Sequence, residues 1–151
     1  MTQKAPDPTV LFELFNEIGI LSQLSRAELE ARLPHGVGAP QFSVLNHLIR
    51  VQDGRPPLAL AKAFQVPKTT MTHTLSVLEK LALVEMRPNP EDGRSKLVYI
   101  TDKGRALRDQ AILDVGAAFA PLAAALPAGL MQGLIPDLRE LRKKMDENRS
   151  A

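Results

Sequence analysis

Apolar residues recur at helical spacing near the start of the chain. Val10, Leu11, Leu14, Phe15, Ile18, Leu21 and Leu24 predict a helix over residues 9–33. Phe12 and Ile20 widen the apolar arc well beyond the roughly 100° stripe that a surface helix needs. A helix apolar on several sides calls for cover on several sides. Residues 34–40 carry Pro34, Gly36, Gly38 and Pro40 and predict a loop. The helical period restarts over 40–52, with Pro40 suited to a first helical position and Phe42, Leu45, Leu48 and Ile49 facing inward. The run D-G-R-P-P at 53–57 breaks it. Leu58 to Phe64 predicts a short helix, Gln65-Val66-Pro67 a tight connection, and Pro67 opens a longer helix running to about Ala82. Short helix, brief turn and longer helix is the helix-turn-helix order.

The period then changes. Leu83 to Arg87 and Leu97 to Thr101 predict two strands, the second rich in strand formers. Between them lies P-N-P-E-D-G-R-S-K, with Asp92-Gly93 at the expected hairpin tip. Thr101 can cap a helix whose first turn Asp102 favours, running to near Pro121. Pro127 is expected to begin a last helix, ending near Asn148. There Leu130, Leu134, Leu138, Leu141 and Met145 form a seam for another helix, and Pro136 is expected to kink it.

On a helical wheel of residues 67–82, Met71, Leu75, Val77, Leu78 and Leu81 fall on one side. Lys68, Thr69, Thr72, His73, Ser76 and Lys80 fall on the other, with only Glu79 adding negative charge. Short hydroxyls let such a helix approach base edges, while lysines and the helix N-terminus can hold phosphates. On its own this face is an ordinary solvated surface; the preceding short helix and turn change that. Arg94 and Lys96 sit on a hairpin long enough to reach past the helix, and an arginine there can enter a minor groove. Asp92 is expected to pair with Arg94 and fix its direction.

Charge sharpens this picture. The net charge is only +2, but residues 41–110 hold 11 basic and 7 acidic side chains. Residues 1–40 hold 3 basic and 5 acidic, and residues 111–151 hold 5 of each. A basic middle between neutral or acidic ends suits a polyanion-binding module. The length of 151 residues, with 44% hydrophobic and 24% charged, fits one domain or two joined sub-domains with a real core.

Other chemistry is not signalled. Cysteine is absent, which excludes disulfides, thiolate metal sites and thiol nucleophiles. His35, His47 and His73 match no common zinc spacing, and His47 is expected at the surface of helix 40–52 or on a dimer side, with a neighbour to satisfy it. H-G-V-G-A-P near residue 35 lacks the third glycine and the preceding strand of a dinucleotide site. No G-x-S-x-G, H-E-x-x-H or P-loop occurs, so no enzyme activity, no metal and no cofactor is expected. The start M-T-Q-K-A-P-D-P has no signal-peptide core and no apolar run reaches membrane length, so a cytoplasmic protein with no membrane contact is expected.

The wing segment E-D-G-R-S-K-L-V-Y-I-T-D-K-G, followed by R-A-L, resembles the MarR family of winged-helix regulators. L-A-K-A-F-Q-V-P-K-T-T-M-T and L-E-K-L-A-L-V-E-M-R resemble its helix-turn-helix and the start of its wing, and the likeness runs from about residue 10 to 147. It implies a mainly α fold with a small β-hairpin wing: a winged helix-turn-helix domain plus a helical dimerisation region from both termini. The division would be 1–36 for the N-terminal dimerisation helix, 37–101 for DNA binding and 102–151 for C-terminal dimerisation. It implies a homodimer interlaced through Leu11, Phe15, Ile18, Leu134, Leu138, Leu141 and Met145. It implies double-stranded DNA with a pseudo-palindromic operator as partner, contacted by Lys68, Thr69, Thr70, Thr72, His73, Ser76, Arg94 and Lys96. A repressor relieved by a small aromatic or anionic ligand follows by the same likeness. The rival is a dimeric winged-helix scaffold that binds a protein or small molecule and no DNA.

Three positions depart from the family pattern. Gln65 stands where the turn usually has Gly or Asn, Pro67 where a serine usually caps, and Ala82 where Gly often follows the recognition helix.

Overall fold

The computed structural model describes residue 5 and residues 7–150, with only the backbone of residue 150. Among the described residues six helices and one hairpin follow in the order α1 (Pro8–Glu30), α2 (Ala39–Arg50), α3 (Pro57–Phe64), α4 (Lys68–Lys80), β1 (Val84–Pro88), β2 (Lys96–Ile100), α5 (Asp102–Ala125) and α6 (Leu130–Ser150). The chain forms two compact units, residues 1–115 and 116–151. The mainly helical architecture with a small hairpin is the one expected.

In the first unit α2, α3, α4 and the hairpin enclose one core. Val44, Leu45, Leu48, Leu60, Leu75, Leu78, Leu83, Val84 and Val98 are its largest fully buried side chains. The hairpin is antiparallel with Val84 opposite Ile100, Met86 opposite Val98 and Pro88 opposite Lys96. That register sends Val84, Val98 and Ile100 into the core, as strand alternation requires. A third backbone segment joins the hairpin. Val98 N–H donates to Arg55 O at 2.8 Å and Gly54 N–H to Val98 O at 3.0 Å. α2 ends at Arg50, short of the expected residue 52 and before the D-G-R-P-P run, which instead lends one residue to the sheet. Gly54 there has φ +68, and a Cβ would stand 2.7 Å from the Tyr99 ring; only glycine fits both demands.

Helix ends follow local chemistry. Asp7 accepts from Thr9 N–H at 2.9 Å and caps α1. That helix stops at Glu30, short of the expected residue 33, because Arg32 N–H turns to Leu29 O and Pro34 follows. Pro40 falls one residue inside α2, which opens at Ala39. Each strand is displaced by one from its expected limits. Leu83 is still bonded back to Leu78 O, and Thr101 leaves the sheet to cap α5, accepting from Gly104 N–H at 3.0 Å.

Two prolines act differently from expectation. Pro121 lies inside α5, which continues to Ala125. Six alanines between 117 and 125, the best helix formers, carry the helix through the missing N–H. Pro127 does not begin α6. Its carbonyl accepts from Leu130 N–H at 3.2 Å across a turn in which Gly129 has φ +81, and the helix opens at Leu130. Pro136 lies within α6. Among the described residues no single helix is long and apolar enough to cross a membrane.

Two apolar faces lack cover. No residue of α1 is buried, and Phe12 is 72% exposed. Leu11 and Phe15 are exposed and Ile18 half-buried. In the second unit Leu134, Leu138 and Met145 are exposed and Leu141 half-buried. This exceeds the scattered apolar exposure normal for a monomer.

Candidate nucleic-acid interface

Both helices of the helix-turn-helix close with the same device. At the end of α3, Gln65 N–H donates to Lys62 O and Val66 N–H to Ala61 O. At the end of α4, Ala82 N–H donates to Glu79 O and Leu83 N–H to Leu78 O. These are paired 5→2 and 6→1 closures, which require a left-handed residue at the corner. That residue is Gln65 (φ 53) and Ala82 (φ 58), neither of them glycine. The turn therefore keeps a sharp geometry despite the departures at Gln65 and Ala82. Pro67 precedes α4 with φ −57 and no side-chain cap; its carbonyl accepts from Met71 N–H at 3.1 Å.

α4 packs against α2, α3 and β1. Met71, Leu75 and Leu78 are buried, and so is Thr74, whose hydroxyl donates to Thr70 O at 3.1 Å. Thr74 is a polar residue that joins the core because its helix supplies an acceptor one turn back. The opposite side leaves Lys68, Thr69, Thr70, Thr72 and His73 exposed and Ser76 half-buried.

The C-terminal end of α4 is held from α5. Lys103 Nζ donates to Leu81 O at 2.8 Å, Thr101 Oγ1 to Ala82 O at 2.7 Å and Thr101 N–H to Leu83 O at 3.1 Å. Three successive carbonyls just beyond the end of α4 are thus satisfied. Gly104 makes this approach possible. A Cβ there would overlap the Leu83 carbonyl oxygen and stand 2.9 Å from Ile100 Cγ1.

The wing tip is organised by two short polar side chains. Asn89 accepts from Glu91 N–H at 3.0 Å and donates from Nδ2 to Ser95 Oγ at 3.0 Å. Asp92 Oδ1 accepts from the Arg94 backbone N–H at 3.0 Å. The Asp92–Arg94 ion pair expected from sequence is replaced by this carboxylate-to-backbone contact, since an Asx turn satisfies Asp92 locally. Gly93 takes no positive φ. Arg94 and Lys96 are exposed. At the stem, Asp53 accepts from Gly54 N–H at 3.0 Å and Ile100 N–H at 2.9 Å, and faces Arg105 at 3.6 Å. Arg87 bonds Glu85 through Nε at 2.9 Å and lies 4.2 Å from the Tyr99 ring centroid.

Charge pairing separates two kinds of cation. Arg26, Arg32, Arg87, Arg105 and Arg108 each face a carboxylate. Among the described residues Lys68, Lys80, Arg94 and Lys96 face none, and neither do Arg50, Arg55, Lys62, Lys103, Arg139 and Lys143. No group of three His, Asp or Glu side chains converges among the described residues in a way that could hold a metal. His47 lies between helices with Arg55 Nη1 at 3.3 Å from its Nε2 and the Phe64 ring at 5.3 Å. Burial, then the charges of Arg55 and Arg50, hold its imidazole below the ordinary value.

A helix-turn-helix followed by a two-stranded wing, with its third backbone segment at Arg55, defines a winged-helix protein. The family model described as MarR family matches residues 35–95. The apo structure of MarR from E. coli is similar over 85% of this chain and 96% of its own, at 29% identity and a TM-score of 0.72. A mutant of that protein complexed with operator DNA is similar over 90% of this chain and 99% of its own, at 27% identity and a TM-score of 0.70. The transcriptional regulator BldR from Sulfolobus solfataricus shares the fold, at 22% identity and a TM-score of 0.75 over 95% of this chain and 99% of its own. No curated protein matches the sequence. Residues 35–95 thus match the MarR family, and the fold is that of MarR-family transcriptional regulators.

Proposed function

We propose that this chain is a cytoplasmic, homodimeric, sequence-specific DNA-binding transcriptional regulator. It acts as a repressor whose hold on a pseudo-palindromic operator is relieved by a small aromatic or anionic ligand. Residues 37–101 bind DNA, and residues 1–36 and 102–151 make the dimer. The observation that carries the reading is the grouping of four exposed cations, Lys68 and Lys80 on one helix and Arg94 and Lys96 on the wing, none of which faces a carboxylate among the described residues. A cation left free by its own protein is available to a phosphate. The similar structure complexed with operator DNA supports the same partner.

In this reading α4 enters a major groove with Lys68, Thr69, Thr70, Thr72, His73 and Ser76 at base edges or nearby phosphates. Arg94 and Lys96 approach the adjoining minor groove and backbone. Two copies would set their recognition helices about 34–36 Å apart. The uncovered faces of α1 and α6, including Leu11, Phe15, Leu134, Leu138 and Met145, support dimerisation. Ligand relief requires that the ligand-bound dimer bind DNA less tightly, or no switching follows.

The test is fluorescence anisotropy with DNA from upstream of the chain's own gene, against random DNA, at two salt concentrations. Binding should be selective and should weaken steeply with salt. A folded dimer that binds neither DNA at low salt would overturn the reading in favour of a scaffold without DNA binding.

A further inference from the structure

The exposed residues of α4 do not carry equivalent chemistry. Thr69, Thr70, His73 and Ser76 make no side-chain hydrogen bond among the described residues, so their donors remain available. Thr72 differs. Its hydroxyl donates to Lys68 O at 2.9 Å, one turn back, while the residue stays exposed. A hydroxyl has a single proton, and here the helix already takes it. Donation to a guanine or adenine acceptor would strip the Lys68 carbonyl of that bond. The oxygen can still accept, from an adenine N6–H or a cytosine N4–H, but it has no proton left to give, and the γ-methyl is the group Thr72 can offer with no polar partner. In a major groove the base feature that matches a methyl is the C5-methyl of thymine.

From this geometry we infer that Thr72 is a specificity-determining residue that reads one thymine in each half-site through methyl–methyl contact. The inference rests on the DNA-binding reading above and deepens it by assigning a base to a residue. Lys68, Thr69 and His73 supply donors around this apolar point, so the face selects a thymine set among acceptor-rich positions. Thr74 makes the same bond to its helix, at 3.1 Å, but is buried and takes no part.

The experiment separates the methyl from the hydroxyl. The probe is the tightest duplex that the wild-type protein selects from a randomised library, with each thymidine replaced singly by deoxyuridine. Loss of one buried methyl corresponds to about a three- to fivefold loss of affinity. Wild type should show that loss at one position per half-site. Thr72→Ser, which lacks the methyl, should bind the thymidine and deoxyuridine duplexes equally. Thr72→Val, which keeps a methyl and drops the hydroxyl, should discriminate like wild type. Circular dichroism of all three proteins should be the same. Indifference of wild type to every deoxyuridine, or Thr72→Val behaving like Thr72→Ser, overturns the inference while the DNA-binding reading stands. A selection that enriches no sequence overturns both.

Discussion

Gly104 sets two rules of stability against each other. It occupies the first turn of α5, where glycine is about 1 kcal/mol worse than alanine in a helix interior. By propensity alone, Gly104→Ala should stabilise the fold. The surroundings say the opposite. The new Cβ would overlap Leu83 O and come 2.9 Å from Ile100 Cγ1. Neither neighbour is the free end of a flexible side chain, because the oxygen is backbone and Ile100 is itself in the core. Relief must come from shifting the first turn of α5. That shift loosens the three bonds from Thr101 and Lys103 to carbonyls 81–83. Overpacking costs about 1–3 kcal/mol, and each weakened bond adds up to about 1 kcal/mol. With two of the three bonds lost and the propensity gain of about 1 kcal/mol subtracted, the net expected loss is about 2–4 kcal/mol.

The assay is urea unfolding and thermal melting at one fixed protein concentration, since association would shift both. A loss of this size lowers Tm by about 5–15 °C in a chain of this length. Gly116 is the internal comparison, lying in the same helix with no atom within 4 Å of the added Cβ. Gly116→Ala should therefore gain up to about 1 kcal/mol. A Gly104→Ala protein as stable as wild type would refute the reasoning, because the close approach of α5 to Leu83 would then carry no energy.

Ala82→Gly should stabilise by about 0.5–1 kcal/mol in urea unfolding, since Ala82 holds φ 58 without the freedom of glycine; an unchanged midpoint would count against the left-handed closure of α4. Arg94→Ala should weaken operator binding about tenfold or more while leaving Tm nearly unchanged, because the side chain is exposed and only its backbone N–H is engaged; equal affinity would remove the wing contact. His47 is held below its ordinary value of 6.5 by burial and then by Arg55 and Arg50, so it affects stability only below that pH. The unfolded chain takes up a proton there that the folded one resists, so stability falls as pH drops through about 6.5 and levels off below the folded pKa. Denaturation of His47→Gln between pH 5 and 7.5 should show a shallower slope than wild type, and equal slopes would count against the assignment. Leu138→Asp with Leu141→Asp should abolish the dimer in sedimentation, and a stable dimer would place the interface elsewhere.

The helices were legible because a 3.6-residue period survives wherever one face is buried, and α2 and α4 each bury one. Their interruptions were legible from Gly and Pro. What escaped was held together by backbone or across long sequence separations. The pairing of Arg55 with Val98 involves one residue, too few to show an alternating pattern. Asp53 accepts from Ile100, 47 positions later, so its D-G context reads only as a turn. Pro121 was misread because a breaker was weighed without the alanines around it. At the wing, opposite charges two residues apart suggested an ion pair, but an aspartate reaches a nearby backbone N–H more readily than a guanidinium. The polar face of α4 was visible in outline. Which hydroxyls remain free on it was not, because helical back-bonding depends on rotamer and leaves no mark in residue order.

The two elements proposed to touch DNA meet at one short segment. β2, which carries one side of the wing, ends at Ile100, and the next residue, Thr101, bonds both Ala82 and Leu83 behind α4. Lys103, two residues further, bonds Leu81. The end of α4 therefore cannot turn unless the first turn of α5 moves with it, and that turn cannot move without dragging the wing stem. The end of α4 and the stem of the wing are thus tied to the same first turn of α5. Gly104 lies at the centre of this joint, with its N–H on Thr101 Oγ1 and its missing side chain against Leu83. It is the position where a single methyl group should disturb both contacts at once.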